Sequence, residues 1–200
     1  MKTILAIGAH YDDIEIGCGG TLLKHSLNGD RVILAITSCD ESLTGEPRIR
    51  FKEQEESLNK FGLSTNSECL SLSLIGEDIP GIIGELDKFK PDIIFVQHDK
   101  DTHQDHVKAS IIGKAVGRKR NITTFFYDSG STYEFQPNIF SVIDFVFKYD
   151  LLKCFKSQID CKAINIDIVK KKNAYWASLI SNDPDAFAEG FIVRKMKWRV

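Results

Sequence analysis

Short apolar runs alternate with stretches of helical length through the first two thirds of this chain, and that alternation restricts the fold more than any other feature. The first run, Thr3-Ile4-Leu5-Ala6-Ile7-Gly8, is continuously apolar and is closed by glycine. A strand covered on both faces reads this way, because neither side has to meet water. Equivalent runs recur at 31–37, 68–74, 92–97 and 123–127. Between them lie segments with apolar residues at helical spacing: 17–27, 48–61 (stopped by Gly62), 79–89 and 104–116. Strand and helix in strict alternation predict right-handed βαβ units and a parallel sheet. Beyond Asp128 the pattern loosens. Residues 135–147 fit strand or loop, and 150–157 and 169–180 read as helices. With no repeat or linker, residues 1–200 are expected to form a single domain.

Composition narrows the class. The 200 residues are 42% hydrophobic and 27% charged, enough apolar content for a core and too much for intrinsic disorder. A net charge of -2 argues against a basic nucleic-acid binder. No run approaches the ~20 apolar residues of a membrane span. The first apolar stretch is too short for a signal sequence, so a cytoplasmic protein is expected. Cys18, Cys39, Cys69, Cys154 and Cys161 are odd in number and scattered, which suits reduced thiols.

Two clusters carry chemistry. Ala9-His10-Tyr11-Asp12-Asp13-Ile14-Glu15 directly follows the first strand, and His98-Asp99-Lys100-Asp101-Thr102-His103-Gln104-Asp105-His106 follows the fourth. Four of the five histidines lie in these segments. Parallel sheets bind ligands beyond the carboxyl ends of their strands. A catalytic zinc site needs three nitrogen or oxygen ligands and an open position for water. His10 and Asp13 can supply two, and either His103 or His106 the third. Asp12 then remains free to take a proton from water. The second histidine can serve a developing oxyanion or a leaving group. Asp105 can orient an imidazole from behind. A plainer reading makes Asp12, Asp13 and Asp105 simple helix caps. Gly17-Cys18-Gly19-Gly20 fits a dinucleotide fingerprint poorly, since Leu22 stands where a third glycine is wanted. These glycines are expected to let the helix pack closely on a strand.

The segment His10-Tyr11-Asp12-Asp13-Ile14-Glu15-Ile16-Gly17-Cys18-Gly19-Gly20-Thr21 resembles the first motif of the PIG-L/LmbE-like N-deacetylases. Asp101-Thr102-His103-Gln104-Asp105-His106 resembles their second. Arg50 with Glu53, Lys153 with Ser157-Gln158, and Ala188-Glu189-Gly190-Phe191 are weaker echoes in the right order. The resemblance implies an α/β, Rossmann-like three-layer sandwich with a mostly parallel sheet. It implies a divalent metal, usually Zn2+ with Fe2+, Co2+ or Mn2+ as alternatives. It implies hydrolysis of the N-acetyl group of a GlcNAc-type conjugate. His10, Asp13 and His106 become the implied metal ligands, Asp12 the general base, and His103 the oxyanion stabiliser or amine acid. Arg50 is placed near the substrate, with a surface ion pair to Glu53 as the alternative. Glu189 reads as an ordinary solvated carboxylate.

Tyr11 and Gln104 replace the prolines of the two motifs. Neither proline is a ligand. Tyr11 is expected at the pocket rim, stacking on a sugar or filling space. The competing reading is a non-catalytic sugar- or nucleotide-sugar-binding module, or a hydrolase of another amide or acyl group. The basic tail, residues 194–199, reads as a solvated face. The sequence leaves the sugar's carrier open, and equally whether the chain forms a homo-oligomer.

Overall fold

The computed structural model describes residues 1–38, 47–61, 68–72, 78–119 and 121–196. Its strands are β1 (Thr3–Gly8), β2 (Arg31–Ile36), β3 (Glu68–Ser71), β4 (Ile93–Gln97), β5 (Thr123–Tyr127), β6 (Ile139–Ile143) and β7 (Phe187–Lys195). The helices are α1 (Asp13–Leu27), α2 (Pro47–Phe61), α3 (Ile79–Asp87), α4 (Gln104–Val116), α5 (Phe145–Leu152), α6 (Lys156–Asp160) and α7 (Ile166–Ser178). Gly62, Cys39 and the end of the tail (197–200) lie outside the described residues.

The strands form one seven-stranded sheet in the order β3-β2-β1-β4-β5-β7-β6. β1 to β5 are parallel, while β7 runs antiparallel to both β5 and β6. The mixed α/β fold with a mostly parallel sheet therefore agrees with the sequence. β1 shows why an unbroken apolar run was required. Ile4 and Ala6 enter the core on one face, and Leu5 and Ile7 enter the core on the other. The first core is shared with α1 and α5, the second with α3 and α4. No helix among the described residues is long and apolar enough to cross a membrane.

Three features differ from expectation. The helix expected at 150–157 is two helices, α5 and α6, separated by a turn at Lys153 to Phe155. The ambiguous stretch 135–147 contains β6 and the start of α5, whose cap is Asp144 accepting from the Val146 amide at 2.8 Å. β7 was not foreseen at all, because Glu189 and Gly190 interrupt its apolar pattern.

Strand order reverses between β1 and β4, which pair side by side. A crevice opens at such a switch point, beyond the carboxyl ends of the strands. The two chemistry-bearing clusters follow these two strands.

Candidate active site

The loop after β1 turns into α1 at Asp12, and its backbone is unusual there. Asp12 has φ 108°, a left-handed conformation that costs a non-glycine residue of order 1–3 kcal/mol. Its carboxylate makes no capping hydrogen bond. Asp13 instead accepts from the His10 amide at 2.7 Å, bracing the loop. The side chain of Asp12 therefore does not cap α1.

Across the crevice His103 is the N-cap of α4, with its Nδ1 accepting from the Asp105 amide at 3.2 Å. An accepting Nδ1 puts the imidazole proton on Nε2, which makes His103 a donor toward the crevice. His106 sits one turn further on. Its Nδ1 meets Asp101 Oδ2 at 3.0 Å, and the Ser131 and Ser129 hydroxyls at 3.1 and 3.3 Å. Asp101 is fixed in turn by the His103 amide, Ser131 and Thr132. That arrangement leaves His106 Nε2 facing Asp13 Oδ1, 3.4 Å away.

The donor groups converge. His10 Nδ1 lies 3.4 Å from Asp13 Oδ2, and nitrogens of His10, His103 and His106 fall within 4.8 Å of one another. With Asp13 between two of these histidines, the cluster offers three nitrogens and a carboxylate in one place. This donor set suits zinc, whose ligands are imidazole nitrogen and carboxylate oxygen about 2.0–2.2 Å from the ion. Behind it, Asp105 Oδ2 reaches His10 Nε2 at 3.3 Å and Ser38 Oγ at 3.2 Å. Two imidazoles are thus each backed by a carboxylate, the arrangement that fixes metal-binding histidines elsewhere.

Electrostatics separates the two adjacent aspartates. Burial and the neighbouring Asp13 charge hold the Asp12 carboxyl well above its ordinary value, with Arg50 opposing them. For Asp13 burial acts in the same direction, but the hydrogen bond from His10 and the charge of His106 overcome it and lower its pKa. Burial and its two histidine neighbours lower His103 and favour its neutral form. Burial alone would lower His10 too, yet Asp13 outweighs it and raises the imidazole.

The crevice is a cleft of about 550 Å³. His10, Asp12, Asp13, His103 and His106 line one part of it. Gln158, Lys162, Asn165, Ile168 and Lys172, from α6, α7 and their connection, line another part. Arg50 is also in the wall. Its Nη2 donates to the Tyr11 carbonyl at 3.1 Å and stands 3.7 Å from Asp12 Oδ2.

The structure thus gathers His10, Asp12, Asp13, Arg50, His103 and His106 around one cleft, with Asp105 behind His10. Tyr11 is not on its rim. The ring is 4% exposed in the core, and its hydroxyl shares a 2.8 Å hydrogen bond with Ser71. Arg50 faces Asp12, while Glu53 accepts from the Ser157 amide and hydroxyl, both at 2.7 Å, and so anchors α6. Glu189 is not solvated but buried in an ion pair with Lys148. Lys153 lies over the Tyr149 ring. Sequence reading passed over Asp101's hold on His106 and over Lys148. The lysine did leave a trace, a charge within the apolar stretch Phe145-Val146-Phe147-Lys148. The close-packing role of the glycines holds for Gly17, where a Cβ would come within 2.0 Å of the Tyr127 ring.

Residues 5–116 match the family model described as PIG-L: GlcNAc-PI de-N-acetylase. The Escherichia coli (strain K12) protein named uncharacterized deacetylase YaiS is 29% identical over 171 residues, spanning 78% of this chain and 91% of that protein. Among solved structures, the N,N'-diacetylchitobiose deacetylase of Pyrococcus horikoshii superimposes with a TM-score of 0.76 at 22% identity, covering 96% of this chain and 83% of that one. The 4-carboxy-2-hydroxymuconate hydratase GalB of Pseudomonas putida KT2440 gives 0.78 at 14% identity, covering 100% and 99%. At these identities the two structures speak for the fold alone.

Proposed function

The chain belongs to the PIG-L deacetylase family, and from that premise we propose that it is a metal-dependent hydrolase removing the N-acetyl group from an amino-sugar conjugate. One observation carries the reading. A buried, uncapped carboxylate, Asp12, stands in a strained turn beside a cluster of three imidazoles and Asp13 at an open cleft. A module that only bound sugars would gain nothing from that strain. The family description, a GlcNAc-PI de-N-acetylase, supports the choice of an amino sugar.

His10, Asp13 and His106 would hold the divalent ion, with Asp105 and Asp101 orienting the two imidazoles. When bound there, zinc or a similar ion supplies acidification of water and polarisation of a carbonyl. Asp12 accepts the proton from the attacking water, and burial beside Asp13 makes its carboxylate more basic than an ordinary one. His103 Nε2–H donates to the carbonyl oxygen as charge grows on it. The amide nitrogen takes the proton that Asp12 received as the C–N bond breaks, leaving acetate and a free amine and restoring the Asp12 carboxylate. Arg50, 3.7 Å from Asp12 Oδ2, favours the anionic form of Asp12 against burial and the Asp13 charge. The wall formed by Asn165, at the N-cap of α7, and by Ile168 and Lys172 would face the sugar's carrier.

The test is acetate release from N-acetylglucosamine, diacetylchitobiose and an N-acetylglucosaminyl inositol, with and without a chelator. Release from at least one of them, abolished by chelation and restored by zinc, is the expected result. No release from any, or release indifferent to chelation, would overturn the reading.

A further inference from the structure

Lys148 and Glu189 form an ion pair that solvent does not reach, with both side chains at 0% exposure and Nζ 2.7 Å from Oε1. Neither residue lines the cleft. Their remaining contacts converge on α1. Lys148 Nζ donates to the Ile16 carbonyl at 2.7 Å. The Gly20 amide donates to Glu189 Oε1 at 2.9 Å, and the Thr21 amide to Oε2 at 2.8 Å. Ile16 and Gly20 are four residues apart, the spacing of one α-helical hydrogen bond. The cation therefore holds the carbonyl of one helical step, and the carboxylate holds its amide.

A packed core does not need this arrangement. Desolvating two charges is expensive, and apolar replacement of a buried pair is often neutral or stabilising. Burial pulls the Lys148 ammonium below its ordinary pKa against the pull of Glu189, which registers that cost. What the pair secures lies one turn away. The Ile16 amide closes on the Asp12 carbonyl at 2.9 Å, so the held step is continuous with the turn carrying Asp12 and Asp13. Close packing fixes the same stretch from outside, since a Cβ on Gly20 would approach Ile143 to 2.9 Å.

We infer that the Lys148–Glu189 pair is a positioning device, inserted at the Ile16–Gly20 step of α1 to set where Asp12 and Asp13 stand opposite His103 and His106. Both are positioning residues. Where activity is the readout, the inference rests on the deacetylase reading, so two other readouts accompany it.

The experiment compares wild type with Lys148→Met/Glu189→Met and with Glu189→Asp. The double variant leaves the Ile16 carbonyl and Gly20 amide to each other, and the aspartate keeps the charge but withdraws it by one methylene. Three quantities are followed: zinc affinity by competition with a chromophoric chelator, hydrogen exchange of the His10 amide that Asp13 holds, and kcat against KM. The double variant is expected to keep a cooperative urea transition near the wild-type midpoint. Its zinc affinity should fall about tenfold or more, the His10 amide should exchange faster by a similar factor, and kcat should drop with KM little changed. Glu189→Asp is expected to move the same quantities in the same direction. If either variant folds and keeps wild-type zinc affinity, His10 exchange and kcat, the pair is merely structural and the inference fails. Should the double variant not fold, Glu189→Asp decides. If wild type itself takes up no zinc and releases no acetate, the deacetylase reading falls, and His10 exchange alone decides the inference.

Discussion

Arg50 Nη2 stands 3.7 Å from Asp12 Oδ2 and pairs its guanidinium with the buried carboxylate at the head of α1. It opposes the burial and the Asp13 charge that push the Asp12 carboxyl upward. The base works as the anion, so activity should fall as pH drops through its pKa. Removing the cation raises that pKa further. Arg50→Ala is expected to move the acid limb of the kcat/KM profile upward by about one pH unit. A pH series of acetate release checks this, and an unmoved limb would mean that Arg50 does not tune the base.

Asp12→Asn removes a buried charge and installs a residue that tolerates positive φ more readily. Stability should rise by about 1 kcal/mol while turnover falls by ~10²–10⁴-fold. Zinc content should be unchanged. Urea unfolding, metal analysis and acetate release on one preparation test all three, and retained turnover would remove Asp12 from the chemistry.

Asp101→Asn weakens the hold on His106 Nδ1 without touching an expected ligand. Loss of such a partner typically costs 10–100-fold in metal affinity. Chelator competition should report about that loss, and undiminished affinity would show that Ser129 and Ser131 suffice to orient the ring.

Two glycines make a matched stability pair. A Cβ on Gly17 would meet the Tyr127 ring at 2.0 Å, whereas Gly84 in α3 has nothing within 4 Å. Gly17→Ala should cost about 3 kcal/mol or more through overpacking. Gly84→Ala should gain about 0.5–1 kcal/mol from helix propensity. Denaturant midpoints of the two variants should therefore move in opposite directions.

Tyr11→Phe separates a core role from a substrate role. The change deletes the hydrogen bond to Ser71 and leaves the buried ring. Stability should fall by about 1 kcal/mol with KM unchanged. A raised KM would return Tyr11 to the substrate.

Local pattern carried the parallel part of the fold because the middles of β1, β2 and β4 are buried on both faces and are apolar. It also made the convergence of the two clusters legible, since His10-Tyr11-Asp12-Asp13 and His103-Gln104-Asp105-His106 follow the two strands that flank the switch point. What escaped it depends on distant pairing. The Tyr11 hydroxyl finds Ser71 sixty positions away (|i−j| = 60), and no nearby residue announces that partner. Glu189 looked solvated because its strand was not recognised, and that strand was missed because the carboxylate broke its pattern. The partner that makes such a residue tolerable, Lys148, lies 41 positions upstream.

The contact between Glu189 and the Gly20 amide spans 169 positions of chain. During synthesis the turn bearing Asp12 and Asp13 leaves the ribosome long before the carboxylate that steadies it. Domains generally fold as units, so the turn after β1 stays unlocked until the rest of the sheet has emerged. A nascent chain carries both halves of the donor cluster well before β7 arrives, so the proposed centre waits for the strand that emerges latest of the seven.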